Sequence, residues 1–108
     1  MADDLDVVWK ALSDPTRRRL LDLLRQGPKT TTQLVEAFPS MTRHAVMKHI
    51  DALRAAELVI TRDEGRRRIN SLNAVPIRRI YERWMGPFAE LWSSALLRIK
   101  EDAESREQ

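Results

Sequence analysis

Pro39 sets the frame for the stretch around it, because proline cannot continue a helix and pushes the preceding residue out of the α region. Before it, Thr30 and Gln33 stand at the spacing of a reciprocal N-terminal cap, and Leu34, Val35 and Phe38 recur at helical intervals. After it, Ser40 and Met41 make a turn, and Thr42 suits the cap of a second helix. At about 100° per residue, Ala45, Val46, His49, Ile50, Leu53 and Ala56 fall on one side of that helix. Arg43, His44, Met47, Lys48, Asp51 and Arg54 fall on the other. Thr30–Ala56 therefore predicts two helices joined by a tight turn, the second turning one face to a core and the other outward.

In a helix-turn-helix, the first residues of the second helix reach base edges in the major groove. Arg and Lys pair with guanine, and an apolar side chain can touch the thymine methyl. Arg43, His44, Met47 and Lys48 occupy those positions. Solvated polar residues on a surface helix would look the same, so the rest of the chain has to decide.

The chain has 108 residues, one domain's worth, and a core this small gains from a partner subunit. It has no cysteine, which excludes disulfides and thiolate metal sites. Its acidic start lacks the apolar run of a signal peptide, and no segment approaches the roughly 20 apolar residues of a membrane span. The expectation is a cytoplasmic protein. Net charge is +3, but its distribution says more. Arg17–Arg19 and Arg66–Arg68 are basic clusters, while acidic residues gather at the N-terminus and between Glu101 and Glu107. Such a basic middle suits a nucleic-acid surface.

Leu5 to Leu12 predicts a first helix, with Val8, Trp9 and Leu12 on its apolar side and Asp3, Asp4 and Asp6 at its positive end. Asp14 and Pro15 fit the cap and first position of the next helix. There Leu20, Leu21, Leu23 and Leu24 turn inward before Gly27-Pro28 ends it. Arg17–Arg19 have two readings, solvated or paired with the acidic first helix, or in contact with DNA phosphates. Beyond Thr30–Ala56, Leu58–Arg62 predicts a strand, Asp63-Glu64-Gly65 a turn and Arg66–Leu72 a second strand. An arginine-tipped hairpin directly after a helix pair is the order of a winged helix-turn-helix, with the wing along phosphates or in a minor groove. Pro76 opens a last helical region in which Ile77, Ile80, Tyr81 and Trp84 keep helical spacing. Gly86-Pro87 is expected to break or kink it. Phe88, Leu91, Trp92, Ala95, Leu96 and Ile99 then resume the spacing. So wide a stripe would leave a large exposed apolar patch on a monomer, so a dimer is expected. Residues 1–100 make the domain, and 101–108 a polar tail expected to fray.

Ala11-Leu12-Ser13-Asp14-Pro15-Thr16-Arg17-Arg18-Arg19-Leu20-Leu21-Asp22-Leu23-Leu24 resembles the opening signature of the ArsR/SmtB-type regulators. Ala45–Leu53 resembles that family's recognition helix, and Gly65–Arg68 its wing. The resemblance covers roughly residues 5 to 100. It implies a homodimeric transcription factor, usually a repressor, that dimerises through its first and last helices. Trp84, Phe88 and Trp92 resemble a subgroup without metal sites. The family often has serine where this chain has Met47, and glycine where it has Glu57. The second helix is therefore expected to end without the usual left-handed glycine cap.

Those sensors that bind metal use Cys on the first helix of the pair, or His and acidic residues on the last. Here these positions read Thr32–Ala37, and Glu82 and Glu90 with no His or Cys. The expectation is no metal and no cofactor. No nucleophile–base pair, phosphate loop or paired carboxylates point to an enzyme. The expected fold is mainly α with a small β-hairpin, a winged helix-turn-helix dimerising through its terminal helices. The expected partners are double-stranded DNA and a second copy of the chain, with no membrane and an effector the sequence does not name. Thr42, Arg43, His44, Met47, Lys48, Arg62, Arg66, Arg67 and Arg68 are expected to meet DNA. Val8, Trp9, Ile80, Trp84, Phe88, Leu91, Trp92 and Ala95 are expected at the dimer interface. The competing reading is a winged-helix module for protein contacts that binds no DNA directly.

Overall fold

A computed structural model describes residues 4–106, and the chain divides into two compact units after Ile77. Asp3, expected at the positive end of the first helix, lies outside the described residues.

The first unit starts with α1 (Asp6–Leu12) and α2 (Pro15–Leu24). Leu5, Val8 and Ala11 form the buried side of α1, whereas Trp9 is exposed. Asp14 caps α2 by accepting from the N–H groups of Thr16 and Arg17 at 2.8 and 3.2 Å. Pro15 fills the first helical position, where no N–H is needed. Leu20, Leu21 and Leu24 then enter the core. After Gly27 come β1 (Lys29–Thr30), α3 (Thr31–Glu36) and α4 (Arg43–Ala55). Both halves of the Thr30–Gln33 cap are present, at 3.1 and 2.8 Å. Thr42 caps α4 by accepting from the Ala45 N–H. Leu34, Phe38, Val46, Ile50, Leu53 and Ala56 are buried, so the core face of the helix pair is the one its periodicity predicts. α4 packs against α1, α2, α3 and β2.

β2 (Val59–Glu64) and β3 (Arg67–Leu72) form the hairpin, in register from Val59 opposite Leu72 to Glu64 opposite Arg67. Asp63 and Glu64, expected in the turn, complete β2 instead. The turn is the two residues Gly65-Arg66, with φ +64° at Gly65, the glycine-first pattern whose twist matches the flanking strands. Nor does the hairpin stand alone. β1 pairs with β3 to give a three-stranded antiparallel sheet in the order β1-β3-β2. Asn70 of β3 is fully buried, and its side chain joins the three strands. It accepts from the Thr61 hydroxyl at 2.8 Å and donates to the Thr31 hydroxyl at 3.0 Å and the Lys29 carbonyl at 3.3 Å. A buried amide is tolerated only when its partners are in place, and these fix the wing to the start of α3.

α5 (Val75–Ile80) leads into the second unit, where a π-helical turn (Tyr81–Met85) precedes α6 (Gly86–Arg106). The expected break at Gly86-Pro87 takes the form of this wide turn. Pro87 lacks an N–H and crowds the carbonyl four residues back. One extra residue in the preceding turn, closed by the Gly86 N–H on the Tyr81 carbonyl, accommodates it without ending the helix. The tail expected to fray from residue 101 is helical as far as Arg106.

Candidate nucleic-acid interface

Thr42 fixes where α4 begins, so its hydroxyl oxygen is already used by the Ala45 N–H, leaving the hydroxyl proton to donate outward. Arg43, His44 and Lys48 follow on the exposed side, and Met47 is half-buried. Arg43 and Met47 do not face away from the wing. Together with Gly65, Arg66, Arg67 and Arg68 they line one open cleft of about 520 Å³. His44 and Lys48 stay outside this lining, further round the helix. Of the expected helix cations, Arg43 shares this space with the wing arginines and Lys48 does not.

Sequence reading did not assign the rest of that cleft. Thr30 to Gln33, at the start of α3, also line it, and so does Asp63 of the wing. The signal available was the run Thr30-Thr31-Thr32, read there only as a capping site.

The arginines of the wing divide by what they already hold. Arg62 pairs with Glu64 at 3.4 Å, and Arg68 with Asp63 at 3.5 Å. Among the described residues Arg66 and Arg67 form no ion pair, and neither do Arg43 and Lys48. These exposed pairs are weak, so Arg62 and Arg68 can exchange a carboxylate for a phosphate. Arg66 and Arg67 need give up nothing.

The early cluster Arg17–Arg19 points inward to the chain's own helices. Arg17 donates to the Nδ1 of His49 at 3.2 Å and to the Lys10 carbonyl at 3.4 Å. Arg18 donates to the Leu12 carbonyl at 2.7 Å, and the Arg19 guanidinium lies 5.1 Å from the Phe38 ring centroid. The pairing with α1 is thus to carbonyls at its C-terminal end, of which that of Lys10 also accepts from the N–H and hydroxyl of Ser13.

The residues expected at a dimer contact separate into two groups. Val8 and Ile80 are each only 3% exposed, so the chain's own packing has consumed their surface and they offer a partner little. Trp9 is 37% exposed, Trp84 46%, Phe88 60%, Leu91 63% and Trp92 67%, while Ala95 is intermediate. No residue of α6 is buried. On this helix system Trp84 and Phe88 stack with centroids 6.3 Å apart.

A helix-turn-helix domain family matches residues 12–62. The chain is 38% identical over 68 residues to the HTH-type transcriptional regulator Rv2034 of Mycobacterium tuberculosis, an alignment spanning 63% of each protein. Among solved structures, an ArsR family transcriptional regulator, RHA00566, is 34% identical with a TM-score of 0.74, over 84% of this chain and 98% of that one. A homodimeric winged helix-turn-helix DNA-binding domain of Mycobacterium bovis, described as a possible ArsR-family regulator, is 27% identical with a TM-score of 0.64, over 82% of this chain and 81% of that one.

Proposed function

The chain belongs to the ArsR family of winged helix-turn-helix transcriptional regulators, and we propose that it is a homodimeric repressor that binds a near-palindromic operator. The observation that carries this reading is the shared cleft, in which Arg43 and Met47 of α4 meet Arg66, Arg67 and Arg68 of the wing. α4 enters the major groove, where Arg43, His44, Met47 and Lys48 read base edges. Thr42 and the arginines of the wing, Arg62 included, hold the flanking phosphates. Two such surfaces related by a two-fold axis read half-sites about 34 Å apart. Bound there, the dimer represses by covering a promoter.

The dimer rests on exposed apolar side chains of the last helices and, in the first unit, of α1, where Trp9 is exposed. Trp84, Phe88, Leu91 and Trp92 together leave an apolar surface of the kind monomers rarely expose. The homodimeric state named for the Mycobacterium bovis relative agrees with it.

Selection of bound duplexes from a random pool tests the reading. The expected product is a two-fold symmetric sequence whose binding falls steeply with salt. Binding without sequence preference would overturn the operator assignment. Failure to bind any duplex at low salt would turn the arginine cleft towards an acidic protein partner.

A further inference from the structure

We propose that His49 is a positioning residue for the reading edge of α4 and acts through Arg17, an inference that rests on the operator-binding reading above. His49 directly follows Lys48 on the helix, yet it does not line the cleft with Arg43 and Met47. Its ring turns to α2, where the Arg17 Nε–H donates to its Nδ1 at 3.2 Å. The same guanidinium donates through Nη1 to the Lys10 carbonyl in the last turn of α1 at 3.4 Å. The backbone N–H of Arg17 is itself held by the Asp14 carboxylate at 3.2 Å. One arginine thus ties together the end of α1, the start of α2 and the middle of α4.

The tie matters because it adds a directional contact to the apolar packing of α4. Val46, Ile50 and Leu53 anchor it by apolar burial, which is non-directional. A hydrogen bond has a preferred line. It sets the angle about the helix axis at which His44 and Lys48 point.

Arginine donates at every accessible pH, so the bond also fixes the imidazole. Nδ1 carries the lone pair and the proton sits on Nε2. The opposite tautomer would present an N–H at Nδ1 and could not accept from Arg17.

The test uses the full chain and its selected operator duplex. His49→Asn keeps an acceptor near the position of Nδ1, whereas His49→Phe keeps a ring and loses the acceptor. At about pH 8, His49→Phe and Arg17→Met are each expected to weaken operator binding about ten-fold. His49→Asn should stay within about two-fold of the parent, and the double variant Arg17→Met/His49→Phe should bind no worse than either single one. Without DNA, long-range ¹H–¹⁵N spectra of the imidazole should place its proton on Nε2. A proton on Nδ1, equal losses for Asn and Phe, additive losses in the double variant, or an unchanged His49→Phe would each overturn the inference. If His49→Phe fails to fold, Arg17→Met and the imidazole spectra still decide. A parent protein that binds no duplex would sink the operator reading instead, and the spectra would then judge the Arg17–His49 bond alone.

Discussion

Asn73 donates its side-chain amide to the backbone carbonyl of Glu57 at 2.8 Å, and so braces a residue whose φ is +60°. Glu57 stands where α4 ends. The Leu58 N–H closes on the Leu53 carbonyl, and the Glu57 N–H on the Arg54 carbonyl, both at 2.9 Å. These two bonds make a left-handed helix stop of the type glycine usually provides. The chain lacks the glycine but keeps the geometry, with Glu57 itself in the left-handed region.

That geometry carries strain, because a Cβ in the left-handed region crowds the following carbonyl oxygen. Glu57→Gly removes it and adds some backbone freedom to the unfolded chain. The expected net effect is a gain of about 0.5–1 kcal/mol, seen as a rise of a few degrees in thermal denaturation with operator affinity unchanged. Asn73→Ala removes the brace and should cost about 1 kcal/mol. A Glu57→Gly protein less stable than its parent would show that the glutamate side chain contributes more than its backbone strain takes away.

The wing arginines should separate under mutation according to their partners. Arg66→Ala and Arg67→Ala remove cations with no internal ion pair, so each should lower affinity for all duplexes alike. Each should also reduce the slope of log affinity against log salt by about 1. Asp63→Asn frees Arg68 from its 3.5 Å carboxylate and removes a negative charge from the cleft wall. It should therefore raise affinity, by up to about five-fold at low salt. Filter-binding titrations across a salt series measure both effects. Weaker binding by Asp63→Asn would mean that the Arg68–Asp63 pair holds the wing in shape rather than restraining its charge.

Asp14 supplies a dependence on pH. Burial acts to raise its carboxyl pKa. The hydrogen bonds from the N–H groups of Arg17 and Thr16, with the nearby charges of His49 and Arg17, outweigh that and leave it below its ordinary value. A carboxyl that is more acidic folded than unfolded contributes stability above its unfolded pKa and loses it as pH falls through the folded one. The cap is therefore intact at neutral pH and fails only in the acid range below the usual carboxylate value. Asp14→Ala should cost about 1 kcal/mol at neutral pH. It should also flatten the acid limb of a denaturant-midpoint against pH curve, whereas Asp14→Asn should retain more of the neutral-pH stability. An unchanged acid limb in Asp14→Ala would assign that sensitivity to other carboxylates.

What sequence could disclose depended on how far apart the partners are. The caps at Asp14, Thr30 and Thr42 were legible because each acts within three residues of itself. The inward face of α4 and the arginine hairpin were legible because their periods are local. β1 was not, since Lys29 and Thr30 become a strand only through Asn70 and Ile69 of β3. The work of Arg17 was hidden for the same reason, its acceptor His49 lying 32 residues away. Within the cleft, Arg43, Met47 and Arg66–Arg68 were expected, but Thr31 and Thr32 were not, because their place there depends on how β1 and Asn70 seat the wing. Val8 was assigned to a partner contact although its surface is spent inside the chain.

Assembly makes the last expectation, and it follows from the aromatic side of α6. Leu91 and Trp92 are more than 60% exposed, and burying one such side chain against a second copy is worth about 1.5–3 kcal/mol. Leu91→Asp would place a charge there that is costly to bury unpaired. It should shift the protein to monomer in sedimentation at micromolar concentration. The melting of the first unit should be affected little, because no residue of α6 is buried in the chain itself. Operator affinity should fall much further than for any wing variant, since a monomer engages one half-site and loses the effective concentration that links the second. A half-site duplex should bind parent and variant equally. A Leu91→Asp protein that remains dimeric would remove α6 from the interface.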